Sequence, residues 1–120
     1  KSADVLGAIN MFKQSKCDVV ITVTKAHRNP CFNIVRKDTS GQIKPAIETS
    51  TSVFRRQDAP AFYDLTTNCY VVNPESILRC KSMFECRVIG YEVEPNTAVD
   101  IDTQIDLEWA EHLIAKETNP

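Results

Sequence analysis

The sequence has little glycine, and its glycines lie far apart. The three are Gly7, Gly41 and Gly90. A loop that cradles phosphate needs clustered glycines, because only a backbone without side chains can come close to the anion. These residues therefore contain no loop of the kind that holds a nucleoside triphosphate.

Long apolar runs are also missing. No stretch approaches the roughly eighteen apolar residues of a membrane span, and no signal-peptide pattern is present. The formal net charge of −2 gives no overall attraction to nucleic acid or to an anionic membrane. With 42% hydrophobic and 25% charged residues, the 120-residue chain has an ordinary globular composition. We expect a single domain over residues 1–120, without nucleic-acid or membrane partners.

Paired cysteine motifs are absent as well. The five cysteines include no pair with Cys-x-x-Cys spacing; they are Cys17, Cys31, Cys69, Cys80 and Cys86. An odd number without such a pair argues against the disulfide framework of a secreted protein and against a zinc ribbon. The sequence therefore predicts reduced thiols and a cytoplasmic location.

What is present is a pair of aspartates shortly before the C-terminal helix. In an extended segment Asp100 and Asp102 point the same way, with their Cα atoms roughly 6.5–7 Å apart. One Mg²⁺ or Mn²⁺ ion between them turns their mutual repulsion into attraction. The structural alternative is that Asp102 or Thr103 caps the helix, since Thr103 and Asp106 resemble a capping box. The spacing leaves both interpretations open.

Periodicity predicts an α/β protein. Apolar residues at helical spacing after Ser2, a candidate cap, predict a first helix, and the β-branched run over residues 18–24 predicts a strand covered on both faces. Turn residues at 38–41 predict a hairpin, and the long polar segment 44–60 predicts a functional loop. The remaining predicted elements are strands at 32–36, 69–72 and 87–93 and helices at 75–80 and 104–117. In the last helix Ile105, Trp109 and Leu113 form an apolar stripe that we expect in the core.

The ordered motifs resemble a known family. They are His27-Arg28-Asn29-Pro30 with Phe32-Asn33, Arg55-Arg56-Gln57-Asp58-Ala59-Pro60 with Tyr63-Asp64, residues 65–74, and Ala98-Val99-Asp100-Ile101-Asp102-Thr103. Their order and spacing are similar to the second half of acylneuraminate cytidylyltransferases, the CMP-sialic acid and CMP-nonulosonate synthetases. The resemblance implies part of a Rossmann-like nucleotidyltransferase fold, with a mixed sheet and flanking helices.

The resemblance also implies a reaction. The anomeric hydroxyl of a nine-carbon sugar acid attacks the α-phosphate of CTP, which releases pyrophosphate and requires Mg²⁺ or Mn²⁺. Asp100 and Asp102 match the catalytic, metal-binding pair of the family. The substrate-binding residues that the resemblance suggests are Arg55, Arg56, Gln57 and Tyr70. A solvated loop or subunit interface for the arginines, and core packing for Tyr70, are the structural alternatives.

The departures from the family suggest an incomplete enzyme. The N-terminal loop of glycine and basic residues that holds CTP in the family has no counterpart, and the sequence begins at Lys1 with a helix rather than a strand. We therefore expect a C-terminal half-domain that is inactive alone and forms a homodimer like members of the family. The alternative is a non-catalytic dimerisation or folding module, or a truncated relative.

Overall fold

The computed structural model describes residues 1–48 and 59–118, the last of these by its backbone only. The chain divides into two compact units, Lys1–Thr24 with Leu65–Pro120 and Lys25–Asp64. The helices are α1 (Ser2–Gln14), α2 (Pro74–Arg79) and α3 (Gln104–Thr118), and the strands are β1 (Val19–Lys25), β2 (Val35–Lys37), β3 (Ile43–Pro45), β4 (Tyr63–Val72) and β5 (Val88–Glu92).

A three-stranded sheet in the order β4-β1-β5 forms the centre of the first unit. β1 and β5 are parallel, with Val19 opposite Val88. β4 runs antiparallel to β1, because the N–H of Asn73 donates to the carbonyl of Asp18 while Thr66 bonds to the later residue Thr22. The protein is therefore α/β with a mixed sheet and flanking helices, as the sequence predicts.

The core follows the β-branched run of β1. Val19 is 2% exposed, and Val20, Ile21 and Thr22 are fully buried. Four consecutive buried residues mean that both faces of this strand are covered, which confirms the prediction. On one side of the sheet α1 packs against β5.

Helix ends are close to their predicted positions. α1 has Lys1 as its N-cap and Ser2 as its first helical residue, so the prediction that Ser2 caps this helix is wrong by one position. The backbone nitrogen of Lys1 donates to the Asp4 carboxylate at 3.1 Å, the bond that the N-cap residue gives to the third helical residue in a capping box. At α2 the side chain of Asn73 accepts the N–H of Glu75, and Pro74 follows it in the first turn, where proline is favoured.

The apolar stripe of α3 is largely exposed. Ile105 is 75% exposed and Trp109 is 49% exposed. The prediction that this stripe lies in the core is therefore wrong for these side chains, because the described part of the chain leaves most of Ile105 and about half of Trp109 uncovered. The ring of Trp109 stacks instead on His112 of the same helix, with ring centroids 5.5 Å apart.

One cysteine pair is oxidised. Cys80 and Cys86 form a disulfide that joins the end of α2 to the residues before β5, with Cα atoms 6.0 Å apart. The expectation of reduced thiols is wrong for this pair, since the segment between the two residues turns back on itself. Cys17, Cys31 and Cys69 are free thiols.

The second unit contains a β-hairpin. β2 and β3 pair antiparallel, and the turn between them is the predicted one. Asp38 accepts the N–H groups of Ser40 and Gln42, and Gly41 has a φ of +89°, a conformation that favours glycine. β2 begins later than predicted, because Phe32 lies in a turn. No helix in the described ranges is long and apolar enough to cross a membrane.

Candidate functional site

The aspartate pair lies in an irregular segment between a 3₁₀ turn at Pro95–Thr97 and α3. Both carboxylates are exposed. The hydroxyl of Thr67 on β4 donates to Oδ1 of Asp100 at 3.3 Å. The amide Nδ2 of Asn68, the next residue of β4, donates to the carbonyl of Thr97 at 2.6 Å. These two bonds attach the segment that contains Asp100 to the sheet.

The helix cap at the start of α3 is a separate group of contacts. Oδ2 of Asp106 accepts the N–H of Thr103 at 2.8 Å and its hydroxyl at 2.7 Å. The N–H of Asp106 in turn lies 3.3 Å from the Thr103 hydroxyl oxygen, so the predicted capping box is confirmed. The Thr103 hydroxyl, with the Thr103 and Asp102 N–H groups, lowers the pKa of Asp106.

The cap therefore leaves the carboxylates of Asp100 and Asp102 available. Asp102 contributes only its N–H to the cap, at 3.3 Å from Asp106. Its carboxylate makes no hydrogen bond or ion pair within residues 1–48 and 59–118. The capping role thus belongs to Thr103 and Asp106, while metal binding by Asp100 and Asp102 stays a prediction.

The donor chemistry of this pair suits a hard divalent cation. In the part of the chain that the structure describes, no three or more histidine, cysteine, aspartate or glutamate residues are grouped so that they could hold a metal. Structural zinc needs such a group, since it is usually bound by four protein ligands. Mg²⁺ commonly takes one or two protein carboxylates and completes its octahedron with water and substrate phosphates. As carboxylate donors, Asp100 and Asp102 therefore fit Mg²⁺ or Mn²⁺.

The other predicted site residues have different outcomes. Tyr70 lies on β4, the strand that binds the Asp100 segment, and is 46% exposed. Core packing, the structural alternative for this ring, is therefore not observed. Arg55, Arg56 and Gln57 lie outside the described residues, so their roles stay predictions.

A bulge in β4 brings the strand to the Asp100 segment. The Thr22 hydroxyl on β1 accepts the hydroxyl of Thr66 at 2.7 Å and the N–H of Cys69 at 3.1 Å. It also donates to the carbonyl of Cys69. The N–H of Ala26 donates to the carbonyl of Phe62, and the N–H of Asn73 donates to the carbonyl of Asp18, so eleven steps along the β4 segment face eight along the β1 segment. Thr66 and Cys69 therefore both lie opposite Thr22, and residues 67 and 68 between them bulge out of the ladder.

Sequence reasoning missed Thr67 and Asn68. One signal in the sequence was Thr22, a hydroxyl residue within a run of otherwise buried apolar side chains. A buried hydroxyl needs a hydrogen-bond partner, so its position indicated a polar contact with a neighbouring strand. The register of that contact could not be read from the sequence.

The second unit contains the first motif of the family resemblance. His27 and Arg28 line a cavity of about 510 Å³ together with Ala59 and Phe62. The loop is held by Asn29, whose Nδ2 donates to the carbonyl of Pro60 at 3.2 Å. This unit therefore presents basic side chains at an open cavity.

Comparison with known proteins gives partial-length relatives, while no protein-family model matches the sequence. The chain is 31% identical over 118 residues to post-translational flagellin modification protein B of Campylobacter coli, covering 98% of this chain and 48% of that protein. It is 31% identical over 96 residues to CMP-N,N'-diacetyllegionaminic acid synthase of Campylobacter jejuni, covering 80% of this chain and 40% of the synthase. Identity to N-acylneuraminate cytidylyltransferase of Streptococcus agalactiae is 24% over 106 residues, covering 88% of this chain and 25% of that enzyme. The chain thus spans about half the length, or less, of these relatives.

Proposed function

Since the chain is a partial-length relative of the acylneuraminate cytidylyltransferases, we propose that it forms the C-terminal part of an enzyme that transfers CMP from CTP to a nonulosonic acid and releases pyrophosphate. The observation that supports this most directly is the pair of exposed carboxylates, Asp100 and Asp102, which the capping box leaves available. The mixed sheet with its parallel β1 and β5 is compatible with part of a Rossmann-like nucleotidyltransferase.

In this proposal Asp100 and Asp102 hold one Mg²⁺ or Mn²⁺ ion. When bound, the ion neutralises charge on the triphosphate and aligns the α-phosphate with the attacking hydroxyl of the sugar acid. The two carboxylates keep the ion beside β4. Because both are exposed, water and phosphate oxygens can complete the coordination.

The substrate contacts come from two places in the chain. Tyr70 offers a half-exposed ring and a phenol on β4, three residues after Thr67, where we place its contact with the sugar acid. Arg55 and Arg56 are assigned to the carboxylate or phosphate oxygens, since a guanidinium binds these in a bidentate manner. Gln57 adds an amide that can hydrogen-bond the sugar.

The nucleotide-binding loop is not among these residues, because their three glycines are dispersed. We therefore propose that the 120 residues alone do not form CMP-sugar. A protein of the relatives' length has room for such a loop, since this chain spans only 48% of post-translational flagellin modification protein B.

We also propose that the protein is a homodimer formed through the second unit. The hairpin and the residue before it leave apolar side chains in solvent: Ile34 is 41%, Val35 49% and Ile43 64% exposed. A second copy covering them gains the free energy of apolar burial. Sedimentation velocity of the wild type and of Ile43→Lys tests this, because a charge at this position disfavours the dimer. A wild type that stays monomeric at all concentrations contradicts the proposal.

The same exposed hairpin also supports the alternative, a non-catalytic dimerisation or folding module. The two functions differ in one measurement, which is turnover. A module forms dimers but gives no product in the presence of CTP, Mg²⁺ and a sugar acid, even when expressed from its complete reading frame.

The decisive experiment is a pyrophosphate-release assay. The protein expressed from its complete reading frame is supplied with CTP, Mg²⁺ and a panel of nonulosonic acids, and CMP-sugar is identified by mass spectrometry. We expect turnover that chelation of the metal abolishes, and none from the isolated 120 residues. Turnover by those residues alone contradicts the proposal that the 120 residues are only part of the enzyme.

Matched variants separate the metal site from the helix cap. Asp100→Asn and Asp102→Asn remove charge without changing shape, and we expect each to lose activity by at least about 100-fold at fixed Mg²⁺. Asp106→Asn changes a carboxylate of the cap only, so activity measured on its folded fraction stays near wild type. Full activity in both Asp100→Asn and Asp102→Asn rules out the metal role.

A further inference from the structure

Two adjacent residues of β4 contact the same segment of the chain. Thr67 binds the side chain of Asp100, and Asn68 binds the backbone of Thr97. In a regular strand neighbouring side chains point to opposite faces of the sheet. Both contacts form because the backbone at residues 67 and 68 has left the regular ladder.

The cause of this geometry lies on the neighbouring strand. The hydroxyl of Thr22 replaces a backbone partner for Cys69, accepting its N–H and donating to its carbonyl. Thr66 is held to the same hydroxyl and is 6% exposed. The bulge is therefore fixed at both ends by hydrogen bonds to Thr22, buried at Thr66 and part-buried at Cys69, and its two central residues contact the segment 97–100.

We propose that the bulge at residues 67 and 68 positions the Asp100 carboxylate for cation binding. Thr67 fixes the orientation of the carboxylate through Oδ1, which leaves Oδ2 for the cation. Asn68 fixes the backbone at Thr97, three residues before Asp100. These are positioning residues, and this role rests on the proposed function because it needs Asp100 to bind a cation.

The physical advantage is preorganisation. An exposed aspartate samples several rotamers, and binding a cation restricts it to one. A hydrogen bond that already selects the rotamer reduces the entropy lost on binding, so the affinity rises without an added ligand. Partners of this kind typically change metal affinity by about 10–100-fold.

The test is a titration of the protein expressed from its complete reading frame with Mn²⁺, in which the free ion is followed by electron paramagnetic resonance. Thr67→Val removes the hydroxyl and keeps the shape of the side chain, and we expect affinity to fall roughly 10-fold. Thr67→Ser keeps the hydroxyl and stays within about twofold of wild type. Thr39→Val, at an exposed threonine of the hairpin turn, is the matched control and leaves affinity unchanged.

A second measurement needs no cation. Amide hydrogen exchange over residues 97–102 accelerates in Thr67→Val and Asn68→Ala, because the segment is no longer tied to β4. The same segment in Thr39→Val and in Asn10→Ala, an exposed asparagine of α1, exchanges as in wild type. Unchanged exchange in both bulge variants overturns the positioning role.

The outcomes distinguish the two proposals. If Asp100→Asn loses Mn²⁺ binding while Thr67→Val binds normally, the positioning role is wrong and the metal site stands. If Asp100→Asn binds Mn²⁺ as wild type does, the metal site itself is wrong, even where the exchange of residues 97–102 responds to Thr67→Val.

If a variant does not fold, a measurement on the wild-type protein still tests the proposal. Mn²⁺ added to the ¹⁵N-labelled wild-type protein broadens the amide signals of residues within its range, and we expect the strongest broadening at Thr67, Asn68, Asp100 and Asp102. Broadening centred on another part of the chain overturns the proposal.

Discussion

Tyr91 occupies the space that a side chain at position 7 would need. A Cβ atom on Gly7 of α1 would lie 2.0 Å from Oη and 2.3 Å from Cζ of Tyr91. Helix α1 can pack against β5 at this distance only because residue 7 has no side chain. The interior glycine of α1 therefore has a packing function that offsets its low helix propensity.

Gly7→Ala is expected to destabilise the protein by about 1–3 kcal/mol, the usual cost of overpacking, although alanine favours helix formation. Chemical denaturation measures the change. Gly7→Ala with Tyr91→Phe stays destabilised, because the ring carbon Cζ remains, while Gly7→Ala with Tyr91→Leu recovers part of the loss. Asn10→Ala on the exposed face of the same helix is the control. A stable Gly7→Ala protein contradicts the packing.

Asp18 joins three elements of the first unit. Its Oδ1 accepts the hydroxyl of Ser76 on α2 and Nη2 of Arg79 at 3.0 Å, and its Oδ2 accepts the N–H of Arg87 before β5 at 3.0 Å. These bonds, with the Ser76 hydroxyl contributing most, lower the pKa of Asp18 below its ordinary value.

The lowered pKa of Asp18 makes the stability of the folded protein depend on pH in the acidic range. A carboxyl group with a lower pKa in the folded state adds stability above its unfolded pKa of about 3.9, and this contribution is lost as the pH falls through the folded pKa. We expect Asp18→Asn to lower the melting temperature at pH 7 and to flatten the wild-type decline below about pH 4. Glu92→Gln, an exposed carboxylate on β5, changes neither. Identical acid profiles for Asp18→Asn and wild type contradict this role.

The capping box predicts a change in stability without a change in cation binding at the proposed metal site. Thr103→Ala removes the hydroxyl that caps α3 and is expected to cost about 1 kcal/mol. Thr103→Ser keeps the cap and stays close to wild type. Circular dichroism during thermal unfolding measures the loss, and the Mn²⁺ titration serves as the second readout. Weakened Mn²⁺ binding in a fully folded Thr103→Ala protein would show that the cap and the metal site are coupled.

The disulfide can be tested by counting reactive thiols before and after reduction. Denaturing the protein without reductant and adding a thiol reagent should reveal three reactive cysteines, and five after reduction. Closing the short loop between Cys80 and Cys86 adds about 2 kcal/mol in the chain-entropy model, so reduction or Cys80→Ser with Cys86→Ser lowers stability by that order. Cys69→Ser removes one free thiol and is not expected to alter the disulfide between Cys80 and Cys86. Five reactive thiols without reductant show that the pair is reduced, as the predicted cytoplasmic location favours.

The sequence predicted the structure best for features that depend on a single strand or a single turn. The β-branched run of β1 predicted a strand covered on both faces, and the turn residues around Asp38 predicted the hairpin. It was least informative about coverage, since a periodic stripe such as that of Trp109 shows which face of α3 is apolar but not whether anything packs on it. The disulfide was missed for a similar reason, because spacing alone does not give the distance between two thiols.

The sequence by itself determined the helices, the central strand β1 and the capping box of Thr103 and Asp106, because these depend on residues only a few positions apart. Only the tertiary structure decided that Thr67 meets Asp100, 33 positions away, and that Thr22 holds Thr66, 44 positions away. Such contacts depend on strand register and on a bulge. A local pattern does not specify these, since they arise from how distant segments pair in the sheet.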